Sequence, residues 1–163
     1  MMRTVASIGV GPAVIDFDDY TPFTVTWPGA AGVSGPPVHG RVLDSMHGML
    51  EMTFDPDTSR LVEVVLVTAP RVAFSDAIRL PSGHPPAQVE VVLEGPPVDS
   101  THDLEVTAFR DVLLVTWSDA KVAGYAEFGG VLIGLDDLQE VVALGLTWGV
   151  GEREAFESLW PKP

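Results

Sequence analysis

The side chains in this chain that could do chemistry are four histidines, a surplus of carboxylates and four tryptophans, and their spacing limits what they can do. His39, His47, His84 and His102 form no i, i+4 pair and no His-Glu-x-x-His motif, so no helical metal site is written into the chain. His39 and His47 flank an expected turn, and His102 stands beside Asp103, so any histidine site would have to be assembled by the fold from distant strands. Asp16-Phe17-Asp18-Asp19 offers the oxygen donors that calcium prefers, without the glycine and glutamate of a helix-loop-helix calcium site. Asp55-Pro56-Asp57-Thr58-Ser59 has the composition of a turn. Ser34 and Ser82 lie in Gly- and Pro-containing stretches outside any Gly-x-Ser-x-Gly elbow. Gly9-Val10-Gly11-Pro12 lacks the Lys-Ser/Thr ending of a phosphate loop. There is no cysteine, which excludes disulfides, thiolate zinc sites and thiol nucleophiles. The residues name no catalytic group, no metal-ligand set and no cofactor.

The carboxylates carry more information as a group. The chain has 23 acidic and 9 basic residues, a formal charge of -14, yet 46% of it is hydrophobic, and its mean hydropathy is +0.25. An acidic disordered tail lacks the apolar residues for a core, so this composition describes a folded body with a negative skin. Nucleic acids and anionic membranes recruit clustered Lys and Arg and are poor partners for it; a basic protein is a good one. No base lies between Arg79 and Arg110, where the acids are Glu90, Glu94, Asp99, Asp103 and Glu105. In 88–94, Val89, Val91 and Leu93 alternate with Gln88, Glu90 and Glu94; in 103–108, Leu104, Val106 and Ala108 alternate with Asp103, Glu105 and Thr107. Both read as strands with one wet, acidic face. Glu90, Glu94, Asp103 and Glu105 are the candidate partner-binding residues, joined into one patch if the two strands are neighbours. The plainer reading is a solvated face whose charges keep sheet edges apart.

The elements that would position these residues are short strands separated by turn signals. Strands are expected at 4–10, 13–17, 23–27, 49–54, 61–68, 88–94, 103–109, 111–117, 121–128, 130–135 and 141–148, with loops at 28–40, 81–86 and 95–102 and a short helix or irregular crossing at 70–80. The apolar runs 112–117 and 141–148 require central strands or a covering layer. One helix is expected at the C-terminal end, with Glu152 and Glu154 in its first turn, a Phe156, Leu159, Trp160 stripe, and Pro161 as its stop. The fold class is mainly β, an antiparallel meander sheet or two-layer sandwich with a short C-terminal helix, in a single domain over 1–163. Trp117 and Trp148 end apolar strands and are expected in the core or its rim; Trp27, before a Pro-Gly loop, is expected to be more exposed. In the hairpin 49–68, a five-residue loop puts Glu51 opposite Glu63, a face-to-face carboxylate pair able to take a cation, and a shifted register puts it opposite Val65. Gly48-Met49-Leu50, leading through Asp55 to Leu66, is echoed by Gly130-Val131-Leu132, leading through Asp137 to Leu146, each a strand, an acidic turn and an apolar strand. Two ordinary hairpins are the expected source of that echo, since any β protein yields such pairs, with a duplication as the alternative.

The stretch Phe54-Asp55-Pro56-Asp57-Thr58-Ser59-Arg60-Leu61-Val62-Glu63-Val64 resembles a hairpin of small actinobacterial β-meander proteins, in which an Asp-Pro-x-Thr-Gly-x-Leu run links two strands. Ser59 stands where the usual glycine would be. Gly130 to Leu146 is similar to another such meander. Several of those families are grouped with the immunity proteins of bacterial toxin systems, and the resemblance implies that class without assigning a functional residue. The first residues make neither a signal peptide nor a membrane span, so a cytoplasmic setting is expected. The function expected is a non-enzymatic acidic module that binds and occludes a basic protein partner such as a toxin. The alternatives are a small β-fold enzyme or ligand binder with a His/Asp or carboxylate site, and an assembly subunit joined through sheet edges.

Overall fold

A computed structural model describes residues 1–7, 11–18, 21–30, 35–69, 71–80, 86–97 and 99–160. The expectations resting on Gly9 and Val10, Asp19, Ser34, Ser82 and His84 lie outside the described residues. The strands in chain order are β1 (Met2–Ala6), β2 (Val14–Asp16), β3 (Phe23–Thr26), β4 (Val38–Leu43), β5 (Met49–Phe54), β6 (Leu61–Thr68) and β7 (Val72–Phe74). They continue with β8 (Val89–Leu93), β9 (Ser100–Thr101), β10 (Glu105–Ala108), β11 (Val112–Thr116), β12 (Gly124–Phe128), β13 (Val131–Leu135) and β14 (Val141–Thr147). A helix, α1 (Val150–Leu159), follows. The protein is mainly β, as its turn-punctuated apolar runs require. No described helix is long and apolar enough to cross a membrane.

Two six-stranded sheets, ordered β2-β3-β6-β5-β4-β9 and β12-β13-β14-β11-β10-β7, share one core with a two-stranded ribbon, β1-β8. Pairing is antiparallel except for β9 beside β4 and β7 beside β10. The apolar runs are central as expected: β14 and β11 lie inside their sheet, with Leu113, Val115, Leu144 and Leu146 at most 1% exposed.

The second half of the chain repeats the first. Strands β2 to β6 take the order β2-β3-β6-β5-β4, and β10 to β14 take the same order, β10-β11-β14-β13-β12. The local details agree too. Val25-Thr26-Trp27 and Val115-Thr116-Trp117 end corresponding strands. The Trp27 N–H donates to the Val62 carbonyl at 2.8 Å, and the Trp117 N–H to the Val142 carbonyl at 3.2 Å. Each long hairpin turns on an aspartate. Asp55 Oδ1 accepts the N–H groups of Asp57 and Thr58 and the Thr58 hydroxyl; Asp136 Oδ1 accepts the N–H groups of Leu138 and Glu140. Each turn closes through a left-handed residue, Ser59 (φ 59°) or Gln139 (φ 64°), and each strand before it shifts register at the same place, Thr53/Phe54 and Gly134/Leu135. The echo is therefore not two ordinary hairpins, as expected, but a repeat of the whole five-strand unit.

The ribbon joins the repeats. Arg60, at the start of β6, bridges Val92; Val92 pairs with Arg3; and Arg3 bridges Glu140, at the start of β14. The row Arg60–Val92–Arg3–Glu140 thus runs from one repeat to the other through the first strand of the chain. At the other side, α1 covers an end of the molecule. Its Glu152 side chain accepts the Gly149 N–H, and the fully buried Phe156 meets Phe17 at 6.1 Å and Trp148 at 5.4 Å between ring centres.

Three expectations are corrected. The loop assigned to 28–40 ends three residues early, because Val38-His39-Gly40-Arg41-Val42-Leu43 forms β4. Residues 70–80 contain a short strand, β7, rather than a helix. Trp27, expected to be exposed, is fully buried: its ring stacks on Phe128 at 4.5 Å and 8°, and its indole N–H donates to the Phe128 carbonyl at 2.8 Å.

Candidate functional site

The four carboxylates singled out from the sequence do not share a face. Strand β8 pairs with β1, whereas β10 lies between β11 and β7, so the two acidic strands are not neighbours. Glu90 points inward: it is 1% exposed, and its Oε2 is 3.0 Å from Arg60 Nε. Its other oxygen, Oε1, is buried without a hydrogen-bond partner among the described residues. The reason is the ribbon's position. Besides its partner β1, β8 lies against β6 and β12, and Val89, Glu90 and Val91 are all buried. Glu94 remains at the surface, 2.7 Å from Arg3 Nε.

Asp103 and Glu105 do lie together. With Asp119, Arg79 and Lys121 they line a shallow surface depression beside β10 and β11. Asp44 anchors the segment that presents them, its Oδ2 accepting the Leu104 N–H and its Oδ1 the Met46 N–H, and Ser45 Oγ reaches Asp103 Oδ1 at 3.4 Å. Local alternation reads correctly here: Leu104, Val106 and Ala108 are buried, and Asp103 and Glu105 are exposed.

The hairpin of β5 and β6 takes the shifted register. Glu51 faces Val65, and Thr53 faces Glu63. Glu51 has a cation on its other side instead: Arg41 Nε at 3.2 Å on β4, with His39 Nδ1 at 3.6 Å. His39 also meets the Thr53 hydroxyl at 3.2 Å. The face-to-face carboxylate pair is not formed. Among the described residues no three His, Asp or Glu side chains are gathered as a metal ion would need.

The second feature is a cleft of about 240 Å³ between the sheets, at the end where the ribbon meets β4 and β14. One wall is the inner face of β4 and β5, with Gly40, Val42, Met52 and Phe54; the opposite wall is Trp117, Val141 and Val142. Met2 and Leu93 of the ribbon and the exposed Met1 before it complete the apolar lining, and Arg41, His102 and Glu140 supply polar groups. Apolar walls with a few polar groups are what a binding cleft needs. Sequence reasoning missed it, since none of its lining residues forms a local motif. The one legible signal was the repeated Val-Thr-Trp, which places Trp27 and Trp117 at corresponding positions and invites comparison of their surroundings.

No protein-family model matches the chain, and none of the curated proteins matches it.

Proposed function

We propose that the protein is a non-enzymatic acidic binding module that occludes a basic protein partner, in the manner of an immunity or inhibitor protein, and that it works in the bacterial cytoplasm. The observation that carries this reading is where four of its nine bases go. Arg3 is held by Glu94, Arg41 by Glu51, Arg60 by Glu90, and Arg153 by Asp76 and Glu157, all within 3.3 Å. These guanidiniums are committed to carboxylates of the same chain, while the whole molecule keeps a charge of -14. A negative field of that kind reaches about one Debye length, roughly 8–10 Å at physiological salt, and speeds encounter with a basic surface.

The proposed docking surface is the depression lined by Asp103, Glu105 and Asp119, whose three carboxylates outnumber the bases Arg79 and Lys121 in the same lining by one. Glu90, neutralised and buried, plays no part in it, and Glu94 belongs to its rim at most. The test is capture of basic proteins at low and high salt, followed by association kinetics of the captured partner with the double variant D103K/E105K. The expected result is a several-fold slower association with a shallower salt dependence. Salt-independent capture, or an unchanged association rate in the variant, overturns the reading. The cleft favours a second reading, a small-ligand binder, which native mass spectrometry of the purified protein would support by a co-purifying ligand.

A further inference from the structure

We propose that the cleft beside Trp117 is a receptor for one arginine side chain presented by the basic partner, a proposal that rests on the binding-module reading above. The argument comes from comparing two sites that the repeat makes equivalent. Leu50 and Met52 stand five and three residues before the turn aspartate Asp55; Val131 and Ile133 stand five and three before Asp136. Across β12, Val131 faces Phe128 and Ile133 faces Ala126. Across β4, Leu50 faces Val42 and Met52 faces Gly40. Val42 and Gly40 therefore occupy in the first repeat the positions of Phe128 and Ala126 in the second.

Those substitutions empty one of the two sites. Phe128 fills the space against Trp27, stacking on its ring and accepting its indole N–H. Against Trp117 there is a valine and a glycine, and both line the cleft. The indole N–H of Trp117 has no protein partner among the described residues, whereas those of Trp27 and Trp148 donate to the carbonyls of Phe128 and Phe109. Ring, carbonyl and volume are thus supplied internally at one site and missing at the other.

The charges differ in the same sense. Arg60 and Glu140 hold equivalent positions, bridged to Val92 and Arg3 of the ribbon. Two residues back from Val92 is Glu90; two back from Arg3 is Met1. Where the filled site has the Arg60–Glu90 ion pair, the cleft has the Glu140 carboxylate, a methionine, and no ion pair to Glu140 among the described residues. Arg41 also lines the cleft but is engaged by Glu51. The missing occupant is flat, cationic, and carries a carbonyl. An arginine residue provides all three: a planar guanidinium that packs on indole and pairs with a carboxylate, and a backbone carbonyl for the Trp117 N–H. A lysine provides the charge without the plane.

The test uses hexa-arginine and hexa-lysine peptides as probes, titrated against the intact protein and against V42F and E140Q. V42F moves the Phe128 ring into the cleft; E140Q removes the carboxylate. The expected result is binding of the arginine peptide roughly tenfold tighter than the lysine peptide. In both variants that preference falls to within about twofold, while V42F leaves the lysine peptide unchanged. Should V42F not fold, as judged by circular dichroism, E140Q alone decides. Equal, salt-sensitive affinities for the two peptides, or an arginine preference that survives the variants, overturns the arginine receptor and leaves the acidic module standing. Failure of both peptides to bind overturns both.

Discussion

Glu90 is the residue at which local pattern and tertiary position part most clearly. Its ion pair with Arg60 places a carboxylate at 1% exposure against a guanidinium at 27%. Removing one member of a buried pair strands the other charge, at a cost of about 3–5 kcal/mol, whereas replacing both by apolar groups is often neutral. R60M should therefore lose about 3 kcal/mol in urea unfolding, and R60M/E90L should recover most of it. A double variant as unstable as the single one would show that Glu90 is held by something other than its charge partner. The alternation Gln88, Val89, Glu90, Val91 gave no warning of burial, because a period-2 pattern reports one covered face and says nothing of a second layer. Asp103 and Glu105 were legible because their strand does have a wet face. Asp55 was legible as a turn residue, and the echo paired it with Asp137, one residue beyond the aspartate that holds the second turn, Asp136. Replacing Asp136 by alanine leaves the N–H groups of Leu138 and Glu140 without their acceptor, and a loss of about 1–3 kcal/mol is expected in the same assay; a change within ±0.5 kcal/mol would mean that water replaces the carboxylate.

At the scale of elements, most strands announced themselves by apolar runs and turns, and β4 did not. Its centre is His39-Gly40-Arg41, preceded by two prolines, a composition that reads as loop. What makes it a strand is β5, whose residues Met49 to Phe54 pair with every residue of β4. Pairing of that kind is a non-local cause. The same holds for the inner strands of the other sheet, where close approach has removed side chains altogether. A Cβ on Gly134 would stand 2.6 Å from the Cβ of Ala143 and 3.3 Å from both γ-methyls of Val122. G134A should push β13 from β14 and cost about 1–3 kcal/mol. The measurement is chemical denaturation of that variant beside A143G/G134A, in which the neighbour gives way. If the pair is no more stable than G134A alone, contact with Ala143 is not what keeps the position small.

At the scale of the whole molecule the repeat explains why the fold class was readable and the site was not. Two equivalent halves bury equivalent faces, and any half of the sequence carries the β signal. Function enters through the departures from equivalence, such as Val42 for Phe128 and Glu140 for Arg60, and a departure is invisible until the register that defines it is known. The halves should not be separable. Trp27 of the first is stacked on Phe128 of the second, and F128A should lower stability by about 3–5 kcal/mol while unfolding stays a single transition by both tryptophan fluorescence and far-ultraviolet circular dichroism. Two resolved transitions would mean that the halves fold as independent units.

The ribbon also sets a timetable. Strand β1 is synthesised before the other described strands, yet its hydrogen-bonding partner, β8, is Val89–Leu93, and its bridge to the second repeat waits for Glu140. At translation rates of about 5–20 residues per second, the nascent β1 spends roughly 5–20 s outside the ribosome before its partner is complete. During that interval β2 to β6 can already pair among themselves. Strand β1 consequently finds its partner later than β2 to β6 find theirs, and the growing chain carries an unmatched β edge until Leu93 has emerged.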